Sequence, residues 1–139
     1  MKKVLSFFIL LFIFSCTSSD NPIETDNSII PGKYSGSMTI TLSQEGEPSK
    51  VVGTFNKDII FNNDGSISSD IFDNDTIPAD ILKKQSNNTY YGVYNHSFLN
   101  NIYEITIKVI DKSTISVNIV VEETNNKEYT TYTGNLSRQ

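Results

Sequence analysis

Residues 102–121, IYEITIKVIDKSTISVNIVV, decide the fold of this chain. Apolar residues occupy every odd position over 103–109 and again over 115–121, and polar residues lie between most of them. A period of two over this length is typical of half-buried strands. A turn between the two runs pairs Val109 with Ile115 and places all the odd-numbered apolar residues on one face. The stretch therefore predicts a long hairpin with its odd-numbered side chains in the core.

The chain from position 31 supplies further strands, which the hairpin needs because a single hairpin is not stable alone. Short alternating runs are separated by turn signals such as Asp64-Gly65. They predict an antiparallel up-and-down β-barrel of about eight strands, with a β-sandwich as the alternative. The pattern Tyr-x-Gly-x-apolar occurs at both 34–38 and 132–136. It favours the barrel, because first and last strands are neighbours there and glycines permit the coiling that closure requires.

Two places interrupt the strand pattern. Lys57 falls on the apolar face of the second predicted strand, and we expect a β-bulge there because the residues after it shift the phase. An open barrel end and an inward-facing charge are the alternatives. Residues 73–88 alternate only weakly, and Pro78 could begin a short helix. We expect a short strand or an irregular segment there.

The first residues have the composition of an export signal. Lys2 and Lys3 precede an apolar run at 4–14 that is too short for a permanent membrane span. Cys16, the single cysteine, follows Ile13-Phe14-Ser15, and this segment resembles the lipobox of bacterial lipoproteins. The resemblance implies that Cys16 receives a diacylglycerol thioether, is freed by the lipoprotein signal peptidase and is then N-acylated, as with palmitate. Two or three acyl chains anchor a protein stably, which predicts a cell-envelope protein, lipid-anchored in the outer membrane.

The chain is therefore expected to have three parts. Residues 1–15 are the signal peptide. Residues 16–30, with the lipidated Cys16 and a polar composition without apolar periodicity, are a flexible tether. Residues 31–139 are the folded domain, which has no second cysteine to form an intramolecular disulfide and must rely on its own core.

The composition excludes several classes of function. The net charge of −5 lacks the basic footprint that nucleic acids require. His96 is the only histidine, so no histidine pair can hold zinc or iron and no Ser-His-Asp set has independent support. We expect His96 to be a surface loop residue. The acidic residues fail the EF-hand spacing, which leaves a looser calcium site at Asp73 and Asp75 or simply a solvated turn. The sequence thus predicts no cofactor, no metal and no enzymatic activity.

The opening PGKYSGSMTI (31–40), the all-β pattern and the closing YTGNLSR (132–138) resemble the lipocalin-like, or calycin-like, domains of small bacterial lipoproteins. Lipocalins have a tryptophan in a G-x-W motif on the first strand and an arginine on the last. Here Tyr34 stands at the tryptophan position, and Arg138 lies near that of the arginine. The resemblance implies an interior that binds a small apolar ligand. The residues expected to line it are Tyr103, Ile105, Ile107, Ile115, Val117, Ile119 and Tyr132.

Tyrosine is concentrated in the second half of the domain, and two uses are open. Tyrosines form cross-strand aromatic pairs, or they line carbohydrate or apolar-ligand sites. The sequence therefore supports two functions. The first is a lipid-anchored, non-enzymatic binding protein or envelope accessory. The alternative is a protein or polysaccharide interaction module that docks on a larger envelope complex.

Overall fold

A computed structural model describes residues 28–139, which form nine strands and one 3₁₀ turn, Asp70–Phe72. The strands are β1 (Gly32–Gln44), β2 (Lys50–Phe61), β3 (Ile67–Ser68), β4 (Thr76–Ile77), β5 (Lys83–Ser86), β6 (Thr89–His96), β7 (Asn101–Val109), β8 (Thr114–Glu123) and β9 (Glu128–Arg138). Within residues 28–139, no helix has the length and apolar character of a membrane span.

The strands form one antiparallel sheet in the order β4-β3-β2-β1-β9-β8-β7-β6-β5. Every neighbouring pair is consecutive in the chain except β1 and β9, so the predicted up-and-down topology and the pairing of first and last strands are confirmed. The sheet curls into a half-barrel. Among the described residues β4 and β5 do not pair, because β4 has only two residues and is followed by Pro78, which has no amide hydrogen to donate.

The hairpin of β7 and β8 forms the centre of the core, as predicted. Val109 faces Ile115, and the register continues without a shift to Tyr103 opposite Val121. The odd-numbered residues over 103–109 and 115–121 are all buried, whereas Glu104 and Lys108 are exposed. The alternating pattern of the sequence therefore gives both the register and the buried face, which is the concave face of the half-barrel.

Glycines bring β1 and β9 together. A Cβ on Gly36 would lie 2.6 Å from the Asn135 carbonyl oxygen, and one on Gly134 would lie 2.5 Å from the Ser37 carbonyl oxygen. Any residue with a Cβ at either position would therefore clash with the neighbouring strand unless the backbone moved. The repeated glycine in the first and last strands is thus explained by close approach of these two strands.

The predicted bulge at Lys57 is wrong. The register between β1 and β2 runs without interruption past Lys57, which lies opposite Gly36, and the irregularity occurs at Val52 instead. Lys57 is an inward-facing charge on the concave face. It is accommodated because its Nζ lies 2.7 Å from Asp70 Oδ2, and an opposite charge offsets part of the cost of removing an ammonium group from water.

The apolar residues at 67, 71 and 72 do not form one continuous strand. Strand β3 ends at Ser68, because the Ser69 side chain accepts a hydrogen bond from the Ile71 amide and begins the 3₁₀ turn. Residues 69–77, which we call the plug, then cross the open side of the half-barrel and add Ile71, Phe72 and Ile77 to the core. The preference for a short strand or irregular segment over a helix in 73–88 is confirmed.

Candidate functional site

The packed part of the concave face contains six of the seven residues expected to line a ligand. Ile105 faces Ile119 and Ile107 faces Val117 across the hairpin. The six are at most 1% exposed and belong to one apolar cluster: Tyr103, Ile105, Ile107, Ile115, Val117 and Ile119. The structure thus brings them together as tightly packed core residues.

The plug is attached to this core through Tyr103. The ring of Phe72 packs edge-on against Tyr103 with centroids 5.6 Å apart, and Tyr103 Oη donates a 2.6 Å hydrogen bond to Asp73 Oδ2. Asp73 itself has a left-handed backbone (φ 55°). Burial, followed by the hydrogen bond to Asp73, raises the pKa of the Tyr103 hydroxyl well above its ordinary value. The hydroxyl therefore stays protonated and continues to donate.

A second contact links the plug to β6. Tyr94 Oη donates to Asp75 Oδ2 at 2.9 Å, and His96 Nε2 lies 3.1 Å from the same oxygen. His96 Nδ1 accepts from the Leu99 amide, so the ring hydrogen lies on Nε2 and faces Asp75. The prediction of a plain surface histidine is wrong, because only 16% of this side chain is exposed. The Thr76 amide and then Tyr94 lower the pKa of Asp75.

These contacts account for the acidic residues that had suggested calcium. Asp73 and Asp75 accept hydrogen bonds from tyrosines, and they tie the plug to the sheet. Among residues 28–139 no group of three or more His, Cys, Asp or Glu side chains is placed to hold a metal ion. The tyrosines also form the cross-strand pair that the sequence allowed, since Tyr94 faces Tyr103 and the two rings stack with centroids 6.2 Å apart.

The plug leaves one part of the concave face uncovered, which we call the open corner: Ile40, Leu42, Phe55 and Tyr132. Ile40 lies directly opposite Tyr132, and Phe55 lies opposite Met38 on the other side of β1. Leu42 is 46% exposed and Phe55 is 48% exposed. The Phe55 ring lies over Gly53. A Cβ at position 53 would stand only 3.1 Å from this ring, so the ring can lie there because residue 53 is glycine.

Lys57 and Tyr132 mark the boundary between the packed part and the open corner. Lys57 Nζ is paired with Asp70 of the plug and lies 6.0 Å from the centroid of the Tyr132 ring. Burial raises the pKa of the Tyr132 hydroxyl, and the Lys57 ammonium partly offsets this rise. Tyr132, the seventh predicted lining residue, is half-buried and is the one that reaches the uncovered surface.

Grooves on the surface of the half-barrel are lined by other residues. One of about 250 Å³ adjoins the open corner, with which it shares Leu42, and is otherwise lined mainly by polar residues of the β1–β2 connection and the start of β9. A polar groove of about 500 Å³ lies between β2 and the plug. Its lining residues are Asn56, Asp58, Ile60, Ser68, Ser69, Asp70, Asn74 and Asp75.

Sequence reasoning missed Leu42 and Phe55 as candidate site residues. Both residues belong to alternating runs, and alternation alone does not distinguish an exposed apolar residue from a packed one. Lys57, two residues after Phe55 on the same face, was the available signal that the core ends there. Cys16, the predicted lipidation site, lies outside the described residues. The chain matches no family model, no curated protein and no solved structure.

Proposed function

We propose that the protein is a lipid-anchored, non-catalytic binding protein of the bacterial cell envelope, which holds a small apolar ligand on the open corner. The observation that carries this proposal is the exposure of Leu42 and Phe55, at 46% and 48%, on a face whose central residues, such as Ile105 and Ile119, are at most 1% exposed. Water-exposed apolar side chains grouped on a concave surface gain free energy when an apolar molecule covers them.

The proposed ligand is apolar and carries no anionic group at the point of contact. Lys57 borders the open corner on the side of the plug, where Asp70 at 2.7 Å already neutralises it. On the other side Lys50 lies opposite Leu42, in a groove that also contains the carboxylates of Glu47 and Glu128. The ring of Tyr132 and the side chain of Ile40 supply a flat apolar floor opposite Phe55. Aromatic and aliphatic walls with few polar groups are typical of sites for apolar small molecules.

The lipid anchor at Cys16 and the lipocalin-like assignment belong to the same proposal. The lipobox-like segment before Cys16 supports anchoring in the outer membrane. Support for the lipocalin-like assignment comes from the register of β1 and β9, in which Tyr34 faces Arg138. Arg138 Nη2 also donates to the Pro31 carbonyl oxygen at 2.9 Å, so it joins the last strand to the start of the first. Tyr34 stands where lipocalins have the tryptophan, and Arg138 lies near the position of their arginine.

Binding of a neutral, environment-sensitive apolar dye tests the ligand site. We expect fluorescence to rise with the wild-type protein and the dye affinity to fall about three- to tenfold in Phe55→Ser. Burying a half-exposed phenylalanine contributes about half of the 1.5–3 kcal/mol for a large apolar side chain, and 1.4 kcal/mol is tenfold. Val93→Ser is the matched control, because Val93 is 47% exposed but lies on the convex face opposite Glu104. Equal loss in both variants would refute the site.

The alternative, an interaction module, is favoured by a different observation. The outer edge of β2 is not covered along most of its length by β3, which pairs only with Ile60 and Phe61. Exposed strand edges bind other strands through their main chains. That edge is separate from the concave face, so the two functions are compatible in one molecule.

A further inference from the structure

A groove at one end of the half-barrel is lined by four amide side chains. It has a volume of about 250 Å³ and lies between the loop that joins β6 to β7 and the loop that joins β8 to β9. Each amide side chain has two donor hydrogens and an acceptor oxygen, so it suits groups that also donate and accept. The asparagines of this groove, which we call the amide groove, are Asn100, Asn101, Asn125 and Asn126.

Hydrogen bonds to main-chain groups hold the two loops in place. The amide and the hydroxyl of Thr124 donate to the Asn100 carbonyl oxygen, at 3.1 Å and 2.8 Å, and join one loop to the other. The Lys127 amide donates to the Glu123 carbonyl oxygen at 2.9 Å and closes the second loop. The shape of the groove is therefore set before a ligand arrives, which reduces the entropy lost on binding.

The amide side chains themselves remain available to a ligand. Among residues 28–139, the side chains of Asn100 and Asn125 have no hydrogen-bond partner. Asn101 Nδ2 donates to Asp73 Oδ2 at 3.4 Å, and Asn126 Nδ2 donates to a glutamate oxygen at 3.5 Å. Both distances exceed the usual range for such bonds, so these contacts are weak. The main chain of the groove is thus bonded, whereas its side chains have unused donors and acceptors.

The larger polar groove beside β2 differs in this respect. Its Asp58 and Asp70 each lie 2.7 Å from a lysine Nζ, and its Asn56 accepts a hydrogen bond from Ser37 at 2.9 Å. Exchanging such bonds for bonds to a ligand brings little net free energy. The amide groove is therefore the better site for a polar ligand.

Charge and apolar contacts restrict the class of ligand. Within the described part of the chain, the charged side chains that line the groove are both acidic, Asp73 and Glu123, so they repel an anion. Leu99 also lines the groove, and Phe98, its neighbour in the chain, is 87% exposed. A ligand that suits all these groups has several hydroxyls, an apolar face and no negative charge.

We propose that the amide groove binds a neutral saccharide, as one unit of a glycan. Sugar hydroxyls donate and accept, as the asparagine amides do, and the C–H face of a sugar ring packs on an aromatic ring such as that of Phe98. Asp73 bonds Tyr103 and Asn101 through Oδ2, which leaves its Oδ1 to accept from a sugar hydroxyl. Few convergent polar groups on ordered main chain are typical of ligand sites.

The saccharide site goes beyond the apolar ligand of the open corner and does not rest on it. The two sites share no lining residue, because Ile40, Leu42, Phe55 and Tyr132 do not line the amide groove. Phe55→Ser should therefore weaken dye binding and leave glycan binding unchanged. A chain that binds glycan but no dye would support the saccharide site and refute the apolar one, and the reverse result would do the opposite.

Native gels that contain one glycan each test the saccharide site with the full chain in detergent. The neutral glycans are β-glucan, mannan, xylan and galactan, and the acidic one is polygalacturonate. We expect at least one neutral glycan to retard the wild-type chain and polygalacturonate to have no effect. Retardation by none of the four neutral glycans overturns the proposal. So does retardation by cationic chitosan alone that high salt abolishes, because that result shows attraction of a cation to the two carboxylates.

Matched substitutions test whether the amide side chains bind the glycan. Asn125→Ala removes one neutral hydrogen-bonding side chain and should weaken binding about three- to tenfold. Asn135→Ala is the control, because Asn135 is exposed on β9 seven positions from Glu128, about 23 Å away from the end that carries the groove. Both variants should keep the wild-type melting temperature. Equal binding by Asn125→Ala and wild type, or equal losses in the two variants, overturns the proposal.

The aromatic contact has its own pair of variants. Phe98→Ser should weaken binding of the same glycan about three- to tenfold, because an apolar ring that is exposed in the free protein is covered in the complex. Ile110→Ser is the control, since Ile110 is 52% exposed but follows β7 at the opposite end from the groove. Equal affinities of Phe98→Ser and Ile110→Ser would show that the sugar does not pack on Phe98 and would overturn this part of the site.

Discussion

Tyr103 Oη donates a 2.6 Å hydrogen bond to Asp73 Oδ2, a carboxylate 30 residues earlier in the chain. Tyr103 begins the buried face of the central hairpin, and Asp73 lies in the plug that crosses the open side. The bond therefore holds the plug against the core in a half-barrel whose end strands do not pair.

Replacing Tyr103 with phenylalanine should lower the free energy of unfolding at neutral pH. Hydrogen bonds to charged groups contribute about 1.5–3 kcal/mol, and Asp73 is exposed enough to be rehydrated, so we expect a loss of about 1–2 kcal/mol. Denaturant unfolding measures this loss. Tyr129→Phe, on the convex face, is the control and should change the free energy by much less. Equal losses would show that the bond does not stabilise the plug.

Alkaline pH should act on the same bond. The folded-state pKa of Tyr103 is raised above its ordinary 10.0, so its contribution is complete below pH 10.0 and is lost as the pH rises through the folded-state pKa. Melting temperatures of wild type and Tyr103→Phe should therefore converge above that pH. A difference between the two proteins that stays constant through the alkaline range would contradict this expectation.

Acid should weaken the second contact of the plug. The folded-state pKa of Asp75 lies below its ordinary 3.8, so its stabilising contribution is present above about that pH and is lost as the pH falls through the lower value. Asp58 also has a lowered pKa, and the informative quantity is the difference between wild type and Asp75→Asn. We expect this difference in melting temperature to shrink in acid. If it is unchanged down to about pH 2, Asp75 does not contribute through its charge.

The central hairpin could be predicted in detail because its information is local. Alternation over 103–109 and 115–121 gave the buried face, and the short turn gave the register of Val109 with Ile115. The repeated glycines at 36 and 134 predicted that the first and last strands are neighbours. The expected reason was the coiling of a barrel, whereas the structure shows close approach of the two main chains at these glycines.

The plug and the open corner could not be predicted, because they depend on contacts between distant residues. Ile71 and Phe72 continue an apolar run after β3, and only the Ser69 cap turns them into a 3₁₀ turn. A lysine on the apolar face of a predicted strand suggests a bulge when no partner for its charge is known. The partner of Lys57 is Asp70, which follows β3 and comes close only in the folded chain. Phe55 is exposed because the plug does not cover it. An alternating strand pattern does not indicate where such a segment ends.

The register of the hairpin predicts which of two neighbouring substitutions is damaging. Ile107 is 1% exposed and faces Val117, so Ile107→Ala should reduce the free energy of unfolding by about 2–5 kcal/mol. Thr106→Ala removes a half-buried side chain on the convex face and should cost far less. Denaturant unfolding of the two variants measures both values. Similar losses of free energy in the two variants would show that the buried face has been assigned wrongly.

Lipidation should depend on Cys16 alone. In cells that process lipoproteins, the wild-type chain should incorporate radiolabelled palmitate and separate into the detergent phase, and Cys16→Ala should do neither because the thiol that accepts diacylglycerol is absent. Ser15→Ala, which keeps a small residue before the cysteine, is the control and should be labelled normally. Equal labelling of wild type and Cys16→Ala would end the lipoprotein assignment.

The pairing of first and last strands should depend on the two glycines. A Cβ on Gly134 would stand 2.5 Å from the Ser37 carbonyl oxygen and 3.0 Å from Met38 Cα, so Gly134→Ala forces β9 away from β1. Overpacking of this kind costs about 1–3 kcal/mol, which exceeds the gain of up to about 1 kcal/mol expected from alanine where it fits. Amide hydrogen exchange should then accelerate along β1 and β9 and much less in β7. Thr133→Ala, at the exposed neighbouring position, should leave exchange unchanged. If Gly134→Ala is as stable as wild type, the two strands are not held together by close main-chain approach.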